Sequence, residues 1–246
     1  MKVLGIDIGG SAFKGAPVDT KTGRLLAERY RVEIKSPCSL KEGLAAARAI
    51  TRHFKWKGPV GLGFPGIIRG GRIGAVGNLG AVWENQNGAA LFRRATGCRV
   101  QLLNDADAAG LAEMKFGAGR GRTGTVLLLT FGTGIGSGLF HDGKLFPNSE
   151  FGWVPWRGKP FERYAAASVR QRARLDWPEW AARVNVYLGV MERIVSPDLI
   201  IIGGGVSKKS DKFIKYLRAR ARVVPARLHN DAGIVGAALA WEQGKP

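Results

Sequence analysis

Residues 3–14, VLGIDIGGSAFK, decide the fold, and residues 125–137, TVLLLTFGTGIGS, repeat their design. Each is an apolar strand-like run that stops at a glycine turn and resumes as a second strand. Two such hairpins, far apart in one chain, predict two similar α/β lobes rather than one continuous sheet. A duplicated layout of that kind leaves a cleft between lobes, where ligands usually sit.

Working outward, Val3–Ile8 reads as a buried strand, followed by strands at Gly15–Val18 and Leu25–Val32 with Lys21-Thr22-Gly23 as the turn. Leu40–Phe54 has helical apolar spacing at Leu44, Ala47 and Ile50. Val60–Phe64 is a strand stopped by Pro65-Gly66, and Val100–Leu103 runs into Asn104-Asp105 ahead of a helix over Ala106–Lys115. In the second half the strands are Thr125–Thr130, Ile135–His141 and Leu199–Ile202. Residues 161–195 read as mostly helical, a helix is expected from Ser207, and Ala232–Trp241 is a closing helix. The expected domains are residues 1–105, residues 106–228, and a closing segment 229–246 that folds back onto the first lobe.

Composition narrows the class. The 246 residues are 45% hydrophobic and 23% charged, as in globular proteins. No apolar run approaches the roughly 20 residues of a membrane span, and the first ten residues lack a signal-peptide pattern, so a cytoplasmic protein is expected. Cys38 and Cys98 are the only cysteines, which excludes a disulfide framework and a four-cysteine zinc site. Lys and Arg number 38 against 19 Asp and Glu, a formal charge of +19. Such a surplus repels itself unless a polyanion is near: nucleic acid, anionic lipid or polyphosphate. Arginine enrichment from coding bias is the bland alternative. Between Arg157 and Arg227 stand sixteen Lys/Arg and six Asp/Glu, so the surplus concentrates there.

The glycine turns carry the candidate chemistry. Asp7, Gly9, Gly10 and Ser11 put a carboxylate beside backbone that can approach phosphate oxygens, with Lys14 within reach as a point charge. A carboxylate there suits a Mg²⁺ ion held through water. Taken alone, the same residues describe an ordinary tight hairpin. Gly132, Thr133 and Gly134 repeat the pattern. They form neither a Walker A loop, which ends in Gly-Lys-Ser/Thr, nor a dinucleotide fingerprint, which needs a helix next. Gly203, Gly204 and Gly205 end a strand, and bare backbone there could face an adenine or a phosphate chain. Beyond them Lys208, Lys212 and Lys215 fall on one helical face, opposite Phe213 and Leu217. That pattern fits a solvated amphipathic helix as well as an anion track.

Asn104-Asp105 ends a strand, where open α/β sheets present reactive groups. A carboxylate there can take a proton from a substrate hydroxyl during phosphoryl transfer. If a carboxylate serves only as helix cap, Asp107 suits that duty better. Asn78, Asn104, Asp105 and Glu150 are polar groups near turns, suited to sugar hydroxyls. His53, His141 and His229 show no metal spacing and read as surface histidines.

Several stretches together resemble the ROK family of sugar kinases, in the actin-like ATPase superfamily, and its polyphosphate-using glucokinase and glucomannokinase branch. They are GIDIGGSAFKGAPVD from Gly5, GLGFPGII from Gly61, LLNDADAAGLAE from Leu102, TGTVLLLTFGTGIGSGLFHDGKLFPNSEFG from Thr123, SPDLIIIGGGVSKKSDKF from Ser196 and VVPARLHNDAGIVGAAL from Val223. The resemblance implies a two-lobed ribonuclease-H-like fold with a cleft, closing around glucose (mannose is a further candidate), and a homodimer. It implies phosphoryl transfer from polyphosphate, with ATP as a further donor, to the sugar 6-hydroxyl. Asp105 would be the base, and Asn78, Asn104 and Glu150 would hold the sugar. Asp7, Gly9, Gly10, Ser11 and Lys14 match the first phosphate motif, with Mg²⁺ expected near Asp7. Gly132, Thr133 and Gly134 match the second, and Gly203, Gly204 and Gly205 match the motif facing adenosine. Lys208, Lys209, Lys212 and Lys215, with Lys14, are the expected guides for a polyphosphate chain. With the first motif starting at Gly5, no N-terminal DNA-binding domain is expected.

The chain departs from the family pattern at one place. Glu150-Phe151-Gly152-Trp153 stands where the family reads Glu-x-Gly-His. An indole stacks on a sugar but offers one donor and no acceptor. Loss of a polar sugar contact could cost about 1–3 kcal/mol if its partner is left buried and unpaired. Two other readings follow: a strictly ATP-dependent hexose kinase, or a catalytically weakened sugar- or nucleic-acid-binding homologue.

Overall fold

The structure is a computed structural model that describes residues 1–77 and 79–243. Its contacts divide it into two compact units, Met1–Ala112 with Asp231–Pro246, and Glu113–Asn230.

The first unit is built on a six-stranded sheet. β1 (Lys2–Ile8) and β2 (Ala12–Asp19) form the antiparallel hairpin, and β2 also pairs with β3 (Arg24–Leu25) and β4 (Tyr30–Glu33). The single strand expected over Leu25–Val32 is thus two short ones. The intervening residues 26–29 are mostly exposed and give no apolar alternation to bury. After α1 (Leu40–His53), β5 (Val60–Phe64) pairs parallel with β1. A small hairpin follows, β6 (Gly66–Arg69) with β7 (Arg72–Val76), then α2 (Gly88–Thr96). β8 (Val100–Asn104) pairs parallel with β5 and leads directly into α3 (Asp105–Phe116).

Side chains of a strand alternate between faces, and here the alternation sorts core from site. Leu4, Ile6 and Ile8 of β1, with Val60, Leu62 and Phe64 of β5, enter one apolar core with Ala46, Ala47, Ile50, Trp83 and Phe92. The opposite face of β1 and β5 carries Gly5, Asp7, Gly61 and Gly63. The closing helix of this unit lies flat on that face. A Cβ on Gly5 would overlap the Ile234 carbonyl oxygen, and one on Gly61 would overlap that of Ala237. An alanine at either position would overpack the face, at a cost of about 1–3 kcal/mol.

The second unit repeats the plan on a five-stranded sheet. β9 (Thr125–Phe131) and β10 (Ile135–His141) are its hairpin, extended by β11 (Lys144–Phe146). A two-stranded ribbon, β12 (Pro155–Trp156) with β13 (Lys159–Pro160), precedes α4 (Glu162–Ala165), α5 (Ala167–Arg172) and α6 (Trp177–Val195). α6 starts at a full capping box, with Asp176 accepting from the Glu179 amide and Glu179 from the Asp176 amide, both at 2.8 Å. β14 (Leu199–Gly203) and β15 (Arg222–Pro225) then add parallel to β9. Leu127, Leu129 and Phe131 share a core with Ile200, Ile202, Trp180, Tyr187 and Phe213. The last helix, α7 (Ala232–Gln243), belongs to the first unit and is the one that covers β1 and β5.

Residues 205–216 correct one expectation. They form two 3₁₀ stretches, Gly205–Lys212 and Ile214–Tyr216, instead of one regular helix. Lys209 and Phe213 leave helical geometry at φ −117° and −132°. The run Lys208-Lys209-Ser210-Asp211-Lys212 offers no apolar residue to dock before Phe213, and 3₁₀ turns suit such short pieces. The single face of Lys208, Lys212 and Lys215 therefore does not exist as an α-helical stripe, although all three side chains are exposed.

Candidate active site

In the first unit, parallel pairing sets Asp7 of β1 opposite Gly63 of β5, and Gly63 opposite Leu103 of β8. Strands lie about 4.8 Å apart, so Asp7 and the end of β8 share one sheet edge roughly 10 Å apart. Asp105 follows as the first residue of α3. A Cβ on Gly63 would stand 3.5 Å from the Asp105 Cα, so the glycine leaves that edge open.

The start of α3 is fixed by Asn104. Its Oδ1 accepts the amides of Ala106 at 2.9 Å and Asp107 at 3.0 Å, and its Nδ2 donates to the Gly66 carbonyl at 3.2 Å. Asn104 is the N-cap, and the capping duty read for Asp107 is corrected. The residue before the first helical turn accepts those amides, and Asp107 lies inside the turn, buried. Asp105 is half-buried, and its Oδ1 accepts the Ala106 amide at 2.8 Å. The partial positive charge of the helix start favours a carboxylate there.

The first glycine turn lies on the same edge. Gly9 donates to the Ala12 carbonyl at 3.0 Å. The Gly10 and Ser11 amides donate to no protein acceptor among the described residues. Asp7 faces the first turn of α7, where a Cβ on Gly233 would stand 2.7 Å from its Cγ. Burial pushes the Asp7 carboxyl above the usual carboxylate range, with the Lys14 charge opposing. Lys14 lies across from Asp7 in the β1–β2 register. Among the described residues no group of three or more His, Cys, Asp or Glu could form a metal cage. A lone carboxylate is what Mg²⁺ uses when waters and substrate phosphates supply its other ligands, so Asp7 fits that ion.

In the second unit, the turn Gly132-Thr133-Gly134 is held from behind. Ser168 donates its amide to the Gly132 carbonyl at 3.0 Å and its hydroxyl to the Thr133 carbonyl at 2.7 Å. Glu162 Oε2 accepts the Ile135 amide at 3.2 Å. The Thr133 and Gly134 amides, like those of the first turn, have no protein acceptor among the described residues. The third glycine turn lies against this one. Gly204 adopts φ +77°, and a Cβ on it would stand 2.7 Å from the Phe131 amide nitrogen.

Glu150 is half-buried on a loop clamped to β10. Ser137 Oγ donates to the Ser149 carbonyl at 2.6 Å and accepts the Phe151 amide at 3.0 Å, while Ser149 Oγ donates to the Ser137 carbonyl at 3.1 Å. A Cβ on Gly152 would overlap the Ile135 carbonyl oxygen. Trp153 stands exposed at the end of this loop. Burial, followed by the charges of Glu162 and Glu150, pushes the Tyr187 phenol up, which places these three groups in one neighbourhood.

Asp7, Gly9, Gly10, Ser11, Lys14, Asn104 and Asp105 therefore gather in the first unit. Gly132, Thr133, Gly134, Glu150, Trp153, Gly203, Gly204 and Gly205 belong to the second. Asn78 lies outside the described residues. Sequence reading missed Ser137, Ser149, Ser168 and Glu162, which hold the site's loops. His229, read as a surface histidine, is exposed, and its Nδ1 lies 3.4 Å from Ser207 Oγ beside the third turn.

Two hairpin-and-parallel-strand sheets, glycine turns with open amides and a carboxylate at a strand end are the parts of a phosphotransferase of the sugar-kinase class. The ROK family model matches residues 3–152, and the chain belongs to the ROK family. It is 43% identical over 238 residues to the polyphosphate glucokinase of Mycobacterium tuberculosis, covering 96% of this chain and 90% of the relative. Its backbone matches the inorganic polyphosphate/ATP-glucomannokinase of Arthrobacter sp. strain KM with a TM-score of 0.95 at 42% identity, covering 98% of this chain and 99% of that one. A ROK glucokinase from Streptomyces griseus, solved with glucose and AMPPNP, matches with a TM-score of 0.83 at 25% identity, over 99% of this chain and 100% of that one.

Proposed function

We propose that this protein transfers a phosphoryl group from inorganic polyphosphate, and from ATP as a second donor, to the 6-hydroxyl of glucose. One observation carries the reading: Asp105, held at the head of α3, shares a sheet edge with Asp7 and the open amides of Gly10 and Ser11. The similarity to polyphosphate glucokinases supports the donor and the sugar.

Asp105 accepts the proton of the 6-hydroxyl as that oxygen attacks the terminal phosphorus. The donor's P–O bond breaks, and a chain shorter by one phosphate leaves. Open backbone amides at each glycine turn stabilise the charge that develops on the phosphoryl oxygens. Mg²⁺, when bound near Asp7, supplies charge neutralisation on the phosphates. Asn104 and Glu150 contact sugar hydroxyls, Trp153 offers its indole to the sugar's apolar face, and the exposed Lys208, Lys209, Lys212 and Lys215 attract the polyanion. A cytoplasmic homodimer is part of the same proposal. No helix of the described chain is long and apolar enough to cross a membrane.

The test is glucose 6-phosphate formation with polyphosphate and with ATP in parallel, with mannose as competing acceptor. Product from polyphosphate supports the reading. Product from ATP alone returns the chain to the strictly ATP-dependent class, and no product from either donor favours a binding homologue.

A further inference from the structure

We propose that a basic hollow within the second unit is a subsite for inorganic polyphosphate, gripping the donor chain away from the phosphate being transferred. The inference rests on polyphosphate being a donor. The hollow has a volume of about 380 Å³ and is lined by Arg122, Arg222, Arg227, Ser210 and His229 over an apolar floor that includes Leu199 and Val224.

Strand register, a buried anchor and unpaired charge together build the site. β15 sends Arg222 and Val224 to one face by its two-residue period, and Arg222 is in register with Leu199 of β14. The loops that bring in Arg122 and Arg227 are tied to one fully buried carboxylate. Glu113 accepts the Ala118 amide at 2.7 Å and the Arg227 amide at 3.1 Å on Oε2, and the Leu228 amide at 2.7 Å on Oε1. Those bonds satisfy Glu113 with backbone donors. Among the described residues no carboxylate lies within ion-pair distance of Arg122, Arg222 or Arg227.

Three guanidinium groups on one hollow repel each other, and an occupant with repeated negative charge relieves that repulsion. Their planar donor forks match phosphate oxygens. A nucleobase carries no charge to offer three cations. The hollow also adjoins the third glycine turn: Ser207 Oγ donates to the Gly204 carbonyl at 2.9 Å and lies 3.4 Å from His229 Nδ1. A chain held by the arginines would continue past His229 toward the Gly203–Gly205 turn. The exposed Lys208, Lys209, Lys212 and Lys215 do not line the hollow.

The experiment measures binding of fluorescently end-labelled long-chain polyphosphate at several salt concentrations, with KM for polyphosphate and for ATP. It compares the wild-type protein with the triple variant Arg122→Gln/Arg222→Gln/Arg227→Gln, with the corresponding Lys triple, and with a charge-matched control, Lys21→Gln/Lys41→Gln/Lys57→Gln. Melting curves verify that each variant is folded. The Gln triple is expected to weaken polyphosphate binding about tenfold or more and to flatten the salt dependence, by roughly one unit of slope per lost contact. The Lys triple should recover part of the affinity, and KM for ATP should stay at the wild-type value. Unchanged polyphosphate binding, an equal loss in the control, or a parallel rise in KM for ATP would overturn the subsite. Turnover on polyphosphate with unaltered binding in the Gln triple rejects the subsite and keeps the donor reading. Arginine-dependent binding without turnover rejects the donor reading, and with it the donor subsite, and leaves only a polyphosphate-binding surface.

Discussion

The side-chain oxygen of Asn104 accepts the backbone amide of Asp107 at 3.0 Å, and this one bond sets the direction of the helix that begins at Asp105. Asn104, proposed to touch the sugar, is therefore also the cap that aims Asp105, the proposed base.

Replacing Asn104 by Ala should cost about 1 kcal/mol through the lost cap. It should also lower kcat, because a misplaced base loses its alignment. Asn104→Asp keeps an acceptor for both amides and should retain most of the stability. Thermal melts with steady-state kinetics separate the two effects. Equal stability of the Ala and Asp variants would contradict the capping account.

Asp7→Asn should raise stability while removing activity. Burial raises the folded pKa of Asp7 above its unfolded value, with Lys14 opposing. The folded chain then holds the proton more tightly, and ionisation costs stability as pH climbs from the ordinary carboxylate range through the folded value. The variant's melting temperature should match wild type below the ordinary carboxylate range and exceed it increasingly as pH rises above that range, by roughly 2–4 °C per kcal/mol recovered, levelling off once the folded value is passed. A constant difference at all these pH values would show that the Asp7 charge is not the cause.

Neither cysteine should react in the native protein. Cys38 and Cys98 are 1% and 4% exposed. Burial, then the charge of Glu42, pushes the Cys38 thiol up to about 11, and burial raises that of Cys98. At neutral pH almost no thiolate is present. Alkylation followed by mass spectrometry should find both free until denaturant is added, and activity should survive the reagent. Modification under native conditions would contradict the burial.

Much of this was legible in the sequence, for physical reasons. Val60–Phe64 and Ile135–His141 match their strands end to end, because both are apolar runs closed by clear turn residues. Asp7, Asp105 and the glycine turns stood out because carboxylates and bare backbone at strand ends suit phosphoryl chemistry, and the structure places Asp7 near the end of β1 and Asp105 just past the end of β8 in one sheet. The β6–β7 hairpin and α2 were missed although signals existed. Gly70 and Gly71 turn the hairpin at φ +57° and +77°, Asn87 caps α2, and Gly97 ends it at φ +71°. Ser168 left no local signal: its hydroxyl reaches a carbonyl 35 positions away, a contact only the folded chain creates. The same is true of Glu113, two of whose three amide partners, Arg227 and Leu228, lie more than a hundred positions downstream.

The most direct measurement is glucose 6-phosphate formation by Asp105→Asn, made beside calorimetric titration with glucose. General-base catalysis is worth about 10²–10⁴-fold, so turnover should fall by that factor with glucose still bound. Turnover by that variant near the wild-type rate would contradict the assignment of the base.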